Sequence, residues 1–104
     1  MDEGRLSLMK KDAVLINAGR GTAVDCGALA KVLSSGHLWG AGLDVTHPEP
    51  LPHDHPLWAV PNALLTPHVA GGDHLPSTRD NIAAIALENL RAYLEGRPLR
   101  NRMK

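Results

Sequence analysis

The chain has 104 residues, with eleven basic and eleven acidic side chains and no formal net charge, a balance that gives no reason to expect nucleic acid or an anionic membrane as partner. Cys26 is the only cysteine, which excludes an intramolecular disulfide and a paired-cysteine metal site; aromatic residues are limited to Trp39, Trp58 and Tyr93, so the core is aliphatic and no stacking platform for single-stranded nucleic acid exists. No apolar run nears the ~18 residues of a membrane span, and a cytoplasmic protein with a thin core is expected, since a chain of this length buries roughly 60 to 70% of its unfolded surface.

Arg5 to Lys11 reads as the last turns of a helix, with Leu6 and Met9 on one side and Lys10-Lys11 at the negative end of the dipole. Ala13 to Ile16 is a continuous apolar run bounded by charge and by a glycine turn, the pattern of a strand buried on both faces of a parallel sheet. In such sheets ligands sit beyond the carboxyl ends of the strands, and Arg20 lies just past this one, between Gly19 and Gly21. Its planar fork suits a carboxylate; a solvated loop charge is the other reading of the same residue. Asp25 caps a helix running to Ser35, with Ala28, Leu29, Val32 and Leu33 at helical spacing and Gly36 ending it. Gly40 to Val45 is a second buried strand, completing a parallel crossover of about thirty residues.

Between Thr46 and Asn62, five prolines (Pro48, Pro50, Pro52, Pro56, Pro61) forbid a regular helix or central strand. A connection this long is functional or disordered, and Leu57, Trp58 and Val60 give it something to bury, so an ordered loop is expected. Ala63 to Thr66 is a short third strand with His68 just beyond it. The final helix opens at Ser77, with Asp80 three residues on as an approximate capping box, and closes near Gly96. Its apolar residues, from Ile82 to Leu94, cover more than half the circumference. So wide a face suits a helix bridging two bodies, and Arg97, Arg100, Arg102 and Lys104 follow as a solvated basic tail.

Parallel neighbouring strands bring Arg20, Asp44 with Glu49, and His68 to one edge of the sheet. Each alone has a plain structural explanation as a loop charge or a strand-end histidine. Together, an arginine to hold a carboxylate, a histidine to move a proton and a carboxylate beside it are what hydride transfer to a 2-oxo acid needs. The spaced blocks Met9 to Gly21, Val24-Asp25, Gly40 to Val45, Glu49-Pro50-Leu51-Pro52, Pro56-Leu57-Trp58, Pro61-Asn62 and Thr66-Pro67-His68 resemble the C-terminal half of the D-isomer-specific 2-hydroxyacid dehydrogenases over roughly residues 5 to 96.

That resemblance implies catalytic roles for Arg20 on the substrate, for Glu49 as partner of the histidine and for His68 as general acid or base. It further implies that Ala18, Gly19, Arg20, Asp44, His68 and Gly71 line the nicotinamide end of NAD, with NADP not excluded. The implied fold is α/β, the second half of a Rossmann-like doubly wound parallel sheet with three short parallel strands and a long C-terminal helix. Residues 1–74 would form the C-terminal half of the NAD-binding domain, and 75–104 a helix and basic tail bridging to a substrate domain absent from this chain.

The family's Gly-x-Gly-x-x-Gly turn is missing. Gly19-Arg20-Gly21-Thr22-Ala23-Val24 imitates it but sets Val24 at the third glycine and Asp25 at the helix terminus meant for phosphate. The expectation is a C-terminal fragment or truncated product, inactive alone, acting in full on a small 2-oxo or 2-hydroxy acid. The rival is a non-catalytic remnant serving in association. A homodimer or association through an exposed sheet edge is expected in either case. No metal is expected, although His53-Asp54-His55 with His47 offers ligand types, and Cys26 is read as a small packing residue.

Overall fold

The structure, a computed structural model, describes residues 1–72 and 75–102. It divides into two compact units, Met1–Ala70 and Gly71–Lys104. The boundary expected after residue 74 falls beside Asp73 and His74, outside the described residues.

In the first unit, α1 (Glu3–Ser7) opens where the Asp2 side chain accepts from the Arg5 N–H. It is shorter than its sequence suggests and ends before Met9. Asp12 takes a left-handed φ of 63°, so Lys10 and Lys11 lie in the turn that redirects the chain and do not cap the helix. Leu6 has no exposed surface and anchors this single turn on the core.

β1 (Val14–Asn17) follows, one residue later than expected. Its burial alternates: Leu15 and Asn17 point inward, whereas Val14 is 49% and Ile16 77% exposed. The expectation of burial on both faces therefore fails in this chain, because α2 covers only one side of the sheet. α2 (Cys26–Ser34) begins as anticipated at Asp25, whose carboxylate accepts from the Ala28 N–H, and ends before Gly36 at φ 73°. Cys26, Ala28, Leu29, Ala30, Val32 and Leu33 are all buried.

β2 (Gly40–Leu43) lies between β1 and β3 (Ala63–Leu65), and all pairings are parallel. Leu15 faces Ala41 and Asn17 faces Leu43 across the first pair; Ala41 faces Ala63 across the second. The parallel α/β architecture with a long final helix is as the sequence implied. Between β2 and β3 the proline-rich segment is ordered around a 3-10 turn, Pro56–Ala59. Leu51, Leu57 and Val60 are buried. Trp58 is not, at 54% exposed: its indole N–H donates to the Pro52 carbonyl at 2.8 Å and the ring stays at the surface. The core is aliphatic, with Leu6, Leu29, Leu38, Leu43 and Leu57 the largest fully buried side chains, each contributing about 1.5 to 3 kcal/mol by burial.

The second unit is organised by α3 (Pro76–Leu94). Leu75, not Ser77, stands at the cap position and no side chain caps the helix; Pro76 supplies a first-turn residue that has no N–H to satisfy. Past the end, Gly96 turns at φ 66° and the Arg97 N–H donates to the Ala92 carbonyl. The tail is less free than expected, because the Asn89 side chain bonds both the N–H and the carbonyl of Arg100. Among the described residues of α3 only Ala92 is buried, and Ile82, Leu87, Leu90, Tyr93 and Leu94 are exposed.

Candidate active site

The site is built from the three turns that leave the carboxyl ends of β1, β2 and β3. At the end of β1 the polypeptide must stop being a strand within one residue, and Asn17 accomplishes this. Its Oδ1 accepts from the Gly19 N–H at 3.1 Å and its Nδ2 donates to the Arg20 carbonyl at 2.9 Å, a local side-chain closure of the turn. Arg20 emerges exposed, with its guanidinium donating to the Gly19 carbonyl at 2.9 Å. Gly21 has to be glycine: a Cβ there would overlap the backbone carbonyl of Thr46. The loop that carries Glu49 is thus seated directly on the turn that carries Arg20.

Asp44, just past β2, is buried and ties that strand to the next turn. Its Oδ1 accepts from the Thr66 hydroxyl at 2.5 Å and from the Val69 N–H at 2.9 Å, and its Oδ2 accepts from the Ala70 N–H at 2.9 Å. Its backbone carbonyl accepts from the His68 N–H at 2.9 Å. The Thr66 hydroxyl is the main reason the Asp44 carboxyl titrates below the usual carboxylate range; burial opposes this, and the Val69 and Ala70 amides and the nearby His68 add to it.

Held in this way, His68 adopts φ 52°, a left-handed conformation uncommon for a residue with a side chain. Its Nδ1 lies 2.8 Å from Glu49 Oε1, with both side chains about half exposed. With Nδ1–H committed to the carboxylate, Nε2 is the nitrogen left to exchange a proton.

Of the residues anticipated from the sequence, Glu49 and His68 are brought into direct contact, and Asp44 holds the His68 turn. Arg20 shares the sheet edge, but among the described residues no hydrogen bond or ion pair joins it to Glu49 or His68. Ala18 and Gly19 form the backbone of its turn. Gly71, at φ 75°, is the first residue of the second unit. Sequence reasoning gave no role to Asn17 or Thr66. The signal for Asn17 was present, an asparagine ending an apolar run two residues before a glycine, whereas nothing local marks Thr66 as the partner of a carboxylate 22 positions earlier.

Two clefts flank this edge. One of about 270 Å³ runs over Ile16, Ala18, Gly42, Leu64 and Ala70; Gly42 brings no side chain to the floor, and the flat apolar surface suits one face of a planar ring. The other, of about 420 Å³, lies between Glu49, Leu51, Trp58, Leu65 and Thr66. A third, of about 620 Å³, sits at the start of α2 and contains none of Arg20, Glu49 and His68.

The chain is similar to known proteins over nearly its whole length. It is 47% identical over 95 residues to glyoxylate reductase of Aeropyrum pernix, covering 91% of this chain and 28% of that protein. It is 43% identical over 96 residues to the glyoxylate reductase/hydroxypyruvate reductase of Homo sapiens, covering 92% and 29%. A D-isomer specific 2-hydroxyacid dehydrogenase from Xanthobacter autotrophicus, solved with NADPH and MES, superposes with a TM-score of 0.79 at 41% identity, covering 100% of this chain and 41% of that one. The chain thus spans under a third of the length of these curated relatives. Residues 1–70 match the family model for the NAD binding domain of D-isomer specific 2-hydroxyacid dehydrogenases, and the chain belongs to that family.

Proposed function

We propose that this chain carries the catalytic groups of an NAD(P)-dependent reductase of small 2-oxo acids, of the glyoxylate or hydroxypyruvate class. The observation that carries the proposal is the Glu49–His68 pair at 2.8 Å, mounted on a turn that the buried Asp44 fixes through its carboxylate. The reduced nicotinamide, when bound, supplies a hydride to the carbonyl carbon. His68 Nε2 donates a proton to the carbonyl oxygen as it gains charge, and Glu49 orients the ring through its contact with Nδ1. Arg20 pairs with the substrate carboxylate and fixes which face of the carbonyl is presented. Ala18, Gly19, Arg20, Asp44 and His68 form the nicotinamide end of the cofactor site, and the apolar cleft over Gly42 supports that assignment.

Residues 1–74 act as half of a nucleotide-binding domain, and the apolar face of α3 serves as a bridge to a substrate domain. The setting is cytoplasmic; among the described residues no helix is long and apolar enough to cross a membrane. These 104 residues alone hold NAD weakly, since their sequence offers no Gly-x-Gly-x-x-Gly turn for the pyrophosphate, and they show no turnover. The reading as an association module draws support from the open edge of β1 and from the exposed Ile16 of β1 and Leu64 of β3.

A chimera decides between the two. Placing this chain in the matching segment of the Aeropyrum pernix enzyme is expected to give a reductase of glyoxylate with NADH or NADPH. His68→Ala in that chimera should lower kcat by about a thousandfold. A folded chimera without activity, or one indifferent to His68→Ala, would overturn the proposal.

A further inference from the structure

The two buried polar side chains among the described residues of this protein's core are Asn17, 9% exposed, and Asp44, 8% exposed. Asn17 ends β1 and Asp44 directly follows the neighbouring β2, and each closes one functional turn. Asp44 gathers the turn of His68. Asn17 does the same for the turn of Arg20, accepting from Gly19 and donating to the Arg20 carbonyl. The Asp44 N–H also donates to the Asn17 main-chain carbonyl at 2.9 Å, so the two anchors are joined directly.

From this arrangement we infer that Asn17 is a positioning residue, which sets the location and rigidity of the Arg20 guanidinium through the backbone of its turn. The inference rests on the proposed role of Arg20 in binding a carboxylate. A side chain was needed here because the turn Ala18 to Gly21 contains two glycines and is intrinsically loose. Among the described residues, the only hydrogen bond Arg20 makes with its own guanidinium is to the Gly19 carbonyl, which is itself part of the turn that Asn17 holds. Asparagine alone among residues of its size offers an acceptor and a donor on one planar group, and both are in use. Neither bond touches the pair formed by Glu49 and His68, so the effect of losing Asn17 should be confined to the carboxylate-binding side.

The test uses the full chain, isotopically labelled, as wild type, Asn17→Ala and Val32→Ala, the last a core truncation within α2, outside both turns. Three quantities are followed by NMR: amide exchange at Gly19, order parameters from Ala18 to Gly21 with the Arg20 Nε–H, and binding of oxamate, a stable mimic of a 2-oxo acid. Asn17→Ala should speed Gly19 exchange and weaken oxamate binding by about tenfold each, the loss of two hydrogen bonds, and should lower order along the turn. The His68 ring resonances should stay at their wild-type positions, and Val32→Ala should leave the Arg20 turn unchanged. Unaltered turn order in Asn17→Ala, or an equal change in Val32→Ala, would overturn the inference. The oxamate arm is read in the Aeropyrum pernix chimera, where absence of binding with Asn17 intact would sink the proposed role of Arg20; the turn order and Gly19 exchange still decide whether Asn17 positions it.

Discussion

Asp44 contributes to the acid sensitivity of the first unit. A carboxyl whose folded pKa is depressed stabilises the native state fully once both states are ionised, above about pH 4, and that contribution is lost as pH falls through the lower folded value. The depression comes first from the Thr66 hydroxyl and is opposed by burial. Unfolding by urea across the acidic range should therefore show stability falling below about pH 4, with Asp44→Asn less stable at neutral pH and flatter in acid. An unchanged acid slope in that variant would mean another carboxylate is responsible. Gly21 gives a second residue-scale prediction. Because its missing Cβ makes room for the Thr46 carbonyl, Gly21→Ala must push backbone, at a cost of about 2 kcal/mol or more. The same variant should shift the Glu49 and His68 resonances, since the loop it displaces carries Glu49; a shift confined to residues 20–23 would show that the two turns move independently.

At the scale of elements, α2 holds the first unit together. Its start depends on the Asp25 carboxylate accepting from Ala28, and Asp25→Ala should cost about 1 kcal/mol. Its buried face depends on Leu29, which has no exposed surface, and Leu29→Ala should cost about 3 kcal/mol. Both are read from urea midpoints at neutral pH; equal losses would mean that capping matters as much to α2 as packing does. β1 presents the opposite situation. Its inward residues are covered by α2, while Val14 and Ile16 on the other face, with Leu64 of β3, stay exposed.

Those exposed side chains matter for the molecule as a whole. An open strand edge beside an apolar sheet face favours pairing with another chain, so the purified chain should self-associate at micromolar concentration. The double variant Ile16→Lys with Leu64→Lys should shift sedimentation toward monomer without altering the Glu49–His68 contact, which lies on the turns beyond the strands. A wild-type monomer at that concentration would count against association through this face.

Much of this was legible in the chain itself. Apolar periodicity, the Asp25 cap and the glycine at 36 fixed α2 almost to the residue, because those signals act within one helical turn. The order Arg20, Glu49, His68 and the family blocks around them pointed to the site proposed here, because each residue belongs to a recognisable strand-end or proline motif. What could not be read locally was anything that depends on which surface meets which. The run Ala13 to Ile16 is apolar throughout, yet only packing decides that Ile16 is left uncovered. Trp58 looks like a core residue and is held at the surface by a hydrogen bond to Pro52. The partnership of Asp44 with Thr66 and of Glu49 with His68 required the strands to be laid side by side, since residues about twenty positions apart meet only through the sheet register. Sequence determined the elements and the chemical groups by short-range forces; the tertiary structure alone decided their contacts, because burial and hydrogen-bond pairing between distant turns depend on the packed arrangement of the strands.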